Sequence, residues 1–212
     1  MKSVSLALAR EIMGKNIFEM EDAFRVYYPT PSSFPALKQM SKIIECANNM
    51  PFSEKMLMAC KDTHILTFVL TPSILDVRKI VEKQSDQKLF YSSQDWYDRQ
   101  DFCKKKGKVG WQLVRKEPIF GSILNAWEDQ QTFLLKDEEV PTAQIMVYTT
   151  IGYFFKTGER LFEKTKVRCA DLDRYGFHVE VGLFDTHGLG FNHLSVGGRE
   201  DILGLASAKK PK

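Results

Sequence analysis

One apolar run near the middle of the chain constrains the fold more than any other feature. It covers residues 138–155 and reads EEVPTAQIMVYTTIGYFF. Acidic residues and Pro141 stand at its start, and a helix N-terminus favours negative charge and tolerates proline. Gly158 follows the run, and glycine readily takes the left-handed conformation that ends a helix. The run therefore predicts a central buried helix over residues 141–156.

Two other structures compete for this run. A strand is favoured by its many β-branched side chains, which are Ile145, Val147, Thr149, Thr150 and Ile151. A membrane span is disfavoured, because the apolar part is short and rich in threonine. The capping residues at both ends favour the helix over the strand.

The composition is typical of a globular chain. The 212 residues fit one large domain or two small ones, and we expect a single domain with a possible boundary near residue 120. Hydrophobic residues make up 43% and charged residues 27%, while the net charge of +3 does not by itself indicate nucleic acid. The four cysteines form no Cys-x-x-Cys pair, so they predict reduced thiols and a cytoplasmic protein. We expect no membrane segment.

The order of the patterns predicts an α+β fold. The N-terminal part is helix-rich, beginning with a helix over residues 3–13 that Ser3 would cap and a turn-rich break at residues 27–35. After the central helix, the pattern predicts an antiparallel meander. Its strands are expected at residues 166–172, 177–184 and 189–196. The basic tail, SAKKPK, is expected to be frayed.

The predicted meander contains the most chemically suggestive cluster. Three histidines and two carboxylates fall within sixteen residues: His178, Glu180, Asp185, His187 and His193. On a strand, His178 and Glu180 would point to the same face. Imidazoles and a carboxylate can hold Zn²⁺ or non-haem iron, and they can also perform acid–base chemistry. The spacing matches no recognised metal motif, and such clusters commonly arise by chance, so an exposed sheet face and its loops with no site is the favoured interpretation.

A basic stretch with aromatic neighbours is the second candidate. It consists of Lys104, Lys105, Lys106, Lys108, Trp111 and Arg115. Cations that neutralise phosphates, together with aromatic rings that stack on bases, are typical of nucleic-acid binding. Two simpler interpretations stay open: a solvated helix end for the lysines and a core position for Trp111.

Several phrases resemble ones that recur in uncharacterised bacterial proteins. The resemblance lies mainly in the C-terminal half and is carried by residues 110–118 (GWQLVRKEP), 127–131 (WEDQQ), 138–143 (EEVPTA), 157–162 (TGERLF) and 181–185 (VGLFD). It implies an origin in a bacterium or its mobile elements. No activity is established for such proteins, so it implies no functional residue.

The sequence favours a non-catalytic binding or interaction protein, with a protein partner or self-association and no cofactor. A metal-dependent or histidine–carboxylate hydrolase that uses the 178–193 cluster is the first alternative. Nucleic-acid binding through residues 104–116 is the second alternative. A site, where there is one, is expected on the sheet that the central helix supports rather than on the helix, because the helix offers few polar side chains, among them Thr142, Tyr148, Thr149 and Tyr153.

Overall fold

The protein folds as an α+β structure with a C-terminal strand meander, as the sequence predicts, and its strands form two mixed sheets. The structure is a computed structural model that describes residues 4–30 and 34–211. Its α-helices are α1 (Leu6–Met13), α2 (Met20–Tyr27), α3 (Leu37–Asn48), α4 (Glu54–Cys60), α5 (Ile74–Val81), α6 (Asp101–Lys104), α7 (Trp127–Gln131) and α8 (Ala143–Thr157). Its strands are β1 (Ile17–Phe18), β2 (His64–Val69), β3 (Gly110–Arg115), β4 (Glu138–Glu139), β5 (Lys166–Leu172), β6 (His178–Asp185), β7 (Gly188–Leu194), β8 (Leu203–Leu205) and β9 (Ala208–Lys209).

The predicted central helix is α8, and both of its ends follow the rules for helix caps. The Thr142 side chain accepts a hydrogen bond from the Ile145 N–H at 3.3 Å, which satisfies one free donor of the first turn. Gly158 takes the left-handed conformation at φ 75° and donates its N–H to the Phe154 carbonyl. The acidic residues predicted for the helix N-terminus lie instead in the separate strand β4.

The first sheet has the strand order β1-β2-β3-β9-β4. Strand β9 lies between β3 and β4 and is antiparallel to both, with Ala208 opposite Val114 and Lys209 opposite Leu113. The prediction of a frayed basic tail is therefore wrong for residues 208–209. Their backbone groups complete the sheet, because β3 and β4 do not pair with each other.

The second sheet contains the predicted meander. Its order is β7-β6-β5-β8, with β5, β6 and β7 antiparallel and β8 added parallel to β5. Strand β8 was not predicted from the sequence. A strand of three residues is too short to show a clear alternation.

Helix α8 packs between the two sheets, against β1 and β2 on one side and β5 and β6 on the other. Gly152 allows the close approach to β1, since a Cβ at this position would lie 2.7 Å from the Phe18 ring. The Tyr148 hydroxyl donates to the Phe68 carbonyl at 3.3 Å, and the Tyr27 hydroxyl donates to the Tyr148 carbonyl at 2.5 Å. The helix is consequently buried on nearly all of its faces.

Helix α1 is capped by Ser5, whose side chain accepts from the Leu8 N–H at 3.2 Å, while the predicted cap Ser3 lies outside the described residues. The predicted turn-rich break at 27–35 includes residues 31–33, which also lie outside the described residues.

No helix among the described residues is long and apolar enough to span a membrane. The division near residue 120 stays a prediction.

Candidate functional site

The structure separates the five residues of the predicted histidine cluster. The register places His193 of β7 opposite Val179 of β6, so His193 lies on the other face of the sheet from His178 and Glu180. Asp185 and His187 lie at the turn between these strands, where the Asp185 carboxylate accepts the His187 backbone N–H at 2.7 Å. Across residues 4–30 and 34–211, no three or more histidine, cysteine or acidic side chains are grouped to hold a metal ion.

His178 and Glu180 belong to a buried polar layer. The His178 ring stacks on Trp127 with centroids 3.6 Å apart, and burial lowers its pKa. Glu180 is fully buried and accepts a hydrogen bond from the Lys166 Nζ at 2.7 Å, and burial raises the pKa of its carboxyl group. Lys166 also contacts the Glu200 carboxylate at 2.5 Å. Lys166 therefore holds the Glu200 carboxylate against the sheet, and burial leaves His178 little access to a ligand.

His193 is placed differently, because it lines a cleft of about 480 Å³. The cleft lies between the second sheet and a 3-10 helix, Trp96–Arg99, that precedes α6. The residues that line it are Asp95, Trp96, Arg99, Gln100, Arg174, Tyr175 and His193. Only His193 among these was a sequence candidate.

A buried carboxylate orients the His193 ring. The Asp173 side chain is fully buried and pairs with the His193 Nδ1. Since a carboxylate only accepts hydrogen bonds, this contact assigns the proton to Nδ1 in the neutral ring and leaves Nε2 to face other groups. The Trp96 ring lies 4.6 Å from the His193 ring and fixes it from the side.

The Asp173 carboxylate is itself held by the turn between β5 and β6. Its Oδ1 accepts the backbone N–H groups of Tyr175 at 2.8 Å and Phe177 at 2.9 Å. Burial alone would raise the pKa of Asp173, but the hydrogen bonds from Phe177, His193 and Tyr175 outweigh burial and lower this pKa. The carboxylate is therefore charged near neutral pH and keeps His193 in one orientation.

Two arginines give the cleft a positive rim. The Arg174 backbone N–H donates to the Gln100 side chain at 3.0 Å. Among the described residues, the Arg174 guanidinium bonds only to the Tyr175 hydroxyl and lies over the Tyr175 ring. Within the described part of the chain, the Arg99 guanidinium has no hydrogen bond or ion pair. Asp95 also lines the cleft, but among the described residues neither arginine pairs with a carboxylate. Both guanidinium groups are exposed and therefore free to form charge-assisted hydrogen bonds with an anion.

The predicted basic stretch divides around this cleft. Lys104, Lys105, Lys106 and Lys108 are exposed, and the Lys104 Nζ lies 3.5 Å from the Arg99 carbonyl beside the cleft. Trp111 is buried in the core and donates its Nε1–H to the Ala47 carbonyl at 3.0 Å, so it cannot stack on a base.

Arg115, the last member of the basic stretch, stands apart from the lysines. It lies at the opposite end of β3, about 16 Å from Gly110 at about 3.3 Å per residue. It lines a different cavity from the one that His193 lines.

Asp173, which orients the His193 ring in the cleft, was not predicted from the sequence. The signal that could have found it is the turn Asp173-Arg-Tyr-Gly176, because an aspartate at the first position of a turn commonly accepts backbone N–H groups. Nothing in the sequence pairs this aspartate with a histidine twenty residues later.

No protein-family model matches the chain, and no curated protein or solved structure is significantly similar to it. The resemblance to bacterial proteins therefore stays a prediction. Any functional conclusion rests on the geometry of the cleft alone.

Proposed function

We propose that this protein binds a phosphate-bearing ligand of nucleotide size in the cleft that His193 lines. The observation that carries the proposal is the convergence of Arg99 and Arg174, which lack carboxylate partners, beside a histidine held by a buried aspartate. Guanidinium groups match the geometry of phosphate oxygens and form paired, charge-assisted hydrogen bonds with them. A cleft of about 480 Å³ is within the range of small-ligand sites.

The surroundings of the cleft support a nucleotide over a bare phosphate ion. Trp96 and Tyr175 line the cleft and offer ring surfaces on which a base can stack. The exposed Lys104, Lys105 and Lys106 continue the positive charge past Arg99, which favours a ligand with more than one phosphate or a short strand.

Titration calorimetry with adenosine and uridine monophosphates, inorganic phosphate and a short single-stranded oligonucleotide tests the proposal. Changing Arg174→Gln or Arg99→Gln should weaken nucleotide binding about tenfold or more, because each change removes a charged hydrogen bond. Arg25→Gln is the matched control, since this side chain is 78% exposed and does not line the cleft. Binding that is absent, or equal in all four proteins, contradicts the proposal.

The oligonucleotide arm addresses the nucleic-acid alternative separately. Strand binding should weaken steeply with salt, and removing Lys104, Lys105 and Lys106 together should reduce this salt dependence. If mononucleotides bind as tightly as the strand and the lysine changes have no effect, the ligand is a free nucleotide.

Phosphoester hydrolysis is a second candidate, favoured by the pairing of His193 with Asp173. A histidine whose Nδ1 is held by a carboxylate can act as a general base or acid through Nε2, with water as the nucleophile. His193→Gln should then abolish turnover of a phosphodiester while nucleotide affinity changes little. Turnover that survives this change dismisses His193 as the acid–base group. The predicted protein partner or self-association stays a prediction.

A further inference from the structure

A second cavity lies at one end of the first sheet, apart from the cleft that His193 lines. Its volume is about 420 Å³, and it is bounded by α4 and by the ends of β2, β3, β4 and β9. His64 of β2 and Arg115 of β3 are direct partners across the two strands, so both side chains reach the cavity from neighbouring positions. Lys209 of β9 lines it from the next strand.

Two polar atoms of this cavity are buried without a partner. They are the His64 Nε2 and the Arg115 Nε, neither of which has a hydrogen bond within the described residues. His64 is 2% exposed, and its other ring nitrogen, Nδ1, lies 2.8 Å from the Thr63 hydroxyl. Buried polar groups are nearly always hydrogen-bonded in folded proteins. Two such atoms on adjacent strands therefore indicate that something polar occupies the space between them.

The charge of Arg115 distinguishes a ligand from a water molecule. The carboxylates nearest to the cavity belong to Asp137 and Glu138, and the Lys209 Nζ contacts both at 3.2 Å. Arg115 has no ion pair in the described part of the chain. Water would satisfy its Nε–H but would leave its charge without a counterion.

We propose that this cavity binds a small monocarboxylate that carries a second polar group beside the acid, as a 2-hydroxy acid does. Its carboxylate accepts hydrogen bonds from Arg115 in the side-on, paired geometry that uses Nε–H and one Nη–H. Its second polar group pairs with the His64 Nε2. The site is separate from the phosphate cleft, and the two proposals stand or fall independently.

The lining excludes larger charges. Asp137 and Glu138 would repel a phosphate dianion, whereas a single carboxylate matches Arg115, the unpaired cation beside His64. Lys55 also lines the cavity without an ion pair among the described residues, but it is exposed to solvent. Met56, Ala59 and Leu135 also line the cavity and provide an apolar surface for a short carbon chain. The ligand class is thus a singly charged organic acid.

Titration calorimetry of the full chain with lactate, propionate and inorganic phosphate tests the site. Lactate should bind saturably and more tightly than propionate, which lacks the hydroxyl group, and phosphate should bind more weakly than lactate. Arg115→Gln should weaken lactate binding about tenfold or more, and Arg115→Lys should restore part of the affinity by keeping the charge. Arg25→Gln is the control that should bind as the original chain does.

A second measurement locates the ligand. In protein labelled with ¹⁵N-histidine, the His64 resonance, identified by its loss in His64→Gln, should shift on adding lactate. In His64→Leu, the preference for lactate over propionate should disappear. The proposal is overturned if neither acid binds saturably, if phosphate is preferred, if Arg115→Gln binds normally, or if the His64 resonance does not move.

Discussion

The burial of His64 has a direct consequence for stability in acid. Burial lowers the pKa of His64 from 6.5 to about 4, and the positive charge of Arg115 acts in the same direction. The unfolded chain binds a proton below pH 6.5, whereas the folded chain does so only near pH 4. The contribution of His64 is therefore fully present above pH 6.5 and is lost as the pH falls through the interval to about 4.

The magnitude follows from proton linkage. The pKa of His64 is 6.5 in the unfolded chain and about 4 in the folded chain. As the pH falls from 7 to 5, protonation of His64 in the unfolded chain therefore lowers the free energy of unfolding by about 2 kcal/mol. The full loss below pH 4 is about 3 kcal/mol at about 1.4 kcal/mol per pH unit. This is a large fraction of the stability of an ordinary domain.

Urea unfolding at a series of pH values, followed by circular dichroism, measures this loss. His64→Gln removes the titrating group, so its drop in unfolding free energy from pH 7 to pH 5 should be about 2 kcal/mol smaller than in the original chain. The comparison uses the pH-dependent difference, so any uniform cost of the substitution cancels. Buffers without carboxylate groups are needed, since acetate or citrate is a potential ligand of the same cavity.

Met56→Leu is the matched control, because Met56 lines the same cavity and does not titrate. It should show the same pH-dependent drop as the original chain. The carboxyl groups with shifted pKa values, such as Asp173 and Glu180, are present in all three proteins and cancel in the comparison. If the free energy of unfolding falls equally from pH 7 to pH 5 in the original chain and in His64→Gln, the conclusion that His64 is neutral and buried is refuted.

Two substitutions test the packing around α8 and the position of β9. Gly152→Ala should destabilise the fold by about 1–3 kcal/mol despite the better helix propensity of alanine, because the added Cβ would lie 2.7 Å from the Phe18 ring. At Gly197 an added Cβ would meet nothing within 4 Å, so Gly197→Ala should leave the free energy of unfolding nearly unchanged in the same urea titration. Lys209→Ala should cost about 3 kcal/mol, because it leaves a buried carboxylate unpaired, while the exposed Lys210→Ala should cost less than about 0.5 kcal/mol. A neutral Lys209→Ala would contradict the buried ion pair.

Local signals carried the prediction of α8 and of the meander. Threonine at the start, Gly158 at the end and apolar spacing between them are properties of one continuous segment, so the sequence displays them directly. The error at Glu138 and Glu139 has a non-local cause. These residues pair with β9, which lies seventy residues further along the chain, and this pairing takes them out of the helix.

The candidate site was less predictable because it depends on strand register. His178 and His193 are both on strands of one sheet, but the antiparallel pairing sets His193 opposite Val179. A shift of one residue in this register would have put the two histidines on the same face. The sequence contains the alternation along each strand but not the register between strands, so the grouping of these histidines could not be read from spacing.

The position of both proposed sites follows from the burial of α8. Its tyrosine and glutamine groups are already used: Tyr148 donates to the Phe68 carbonyl, and the Gln144 amide donates to the Pro72 carbonyl at 2.9 Å. The Thr149 and Thr150 hydroxyls of α8 have no hydrogen-bond partner among the described residues, but both are buried and neither lines a proposed site. The polar groups that reach the two cavities lie instead at strand ends and turns, where Arg174 meets one cavity and Arg115 meets the other. This explains why α8 lines neither cavity although both sheets pack against it.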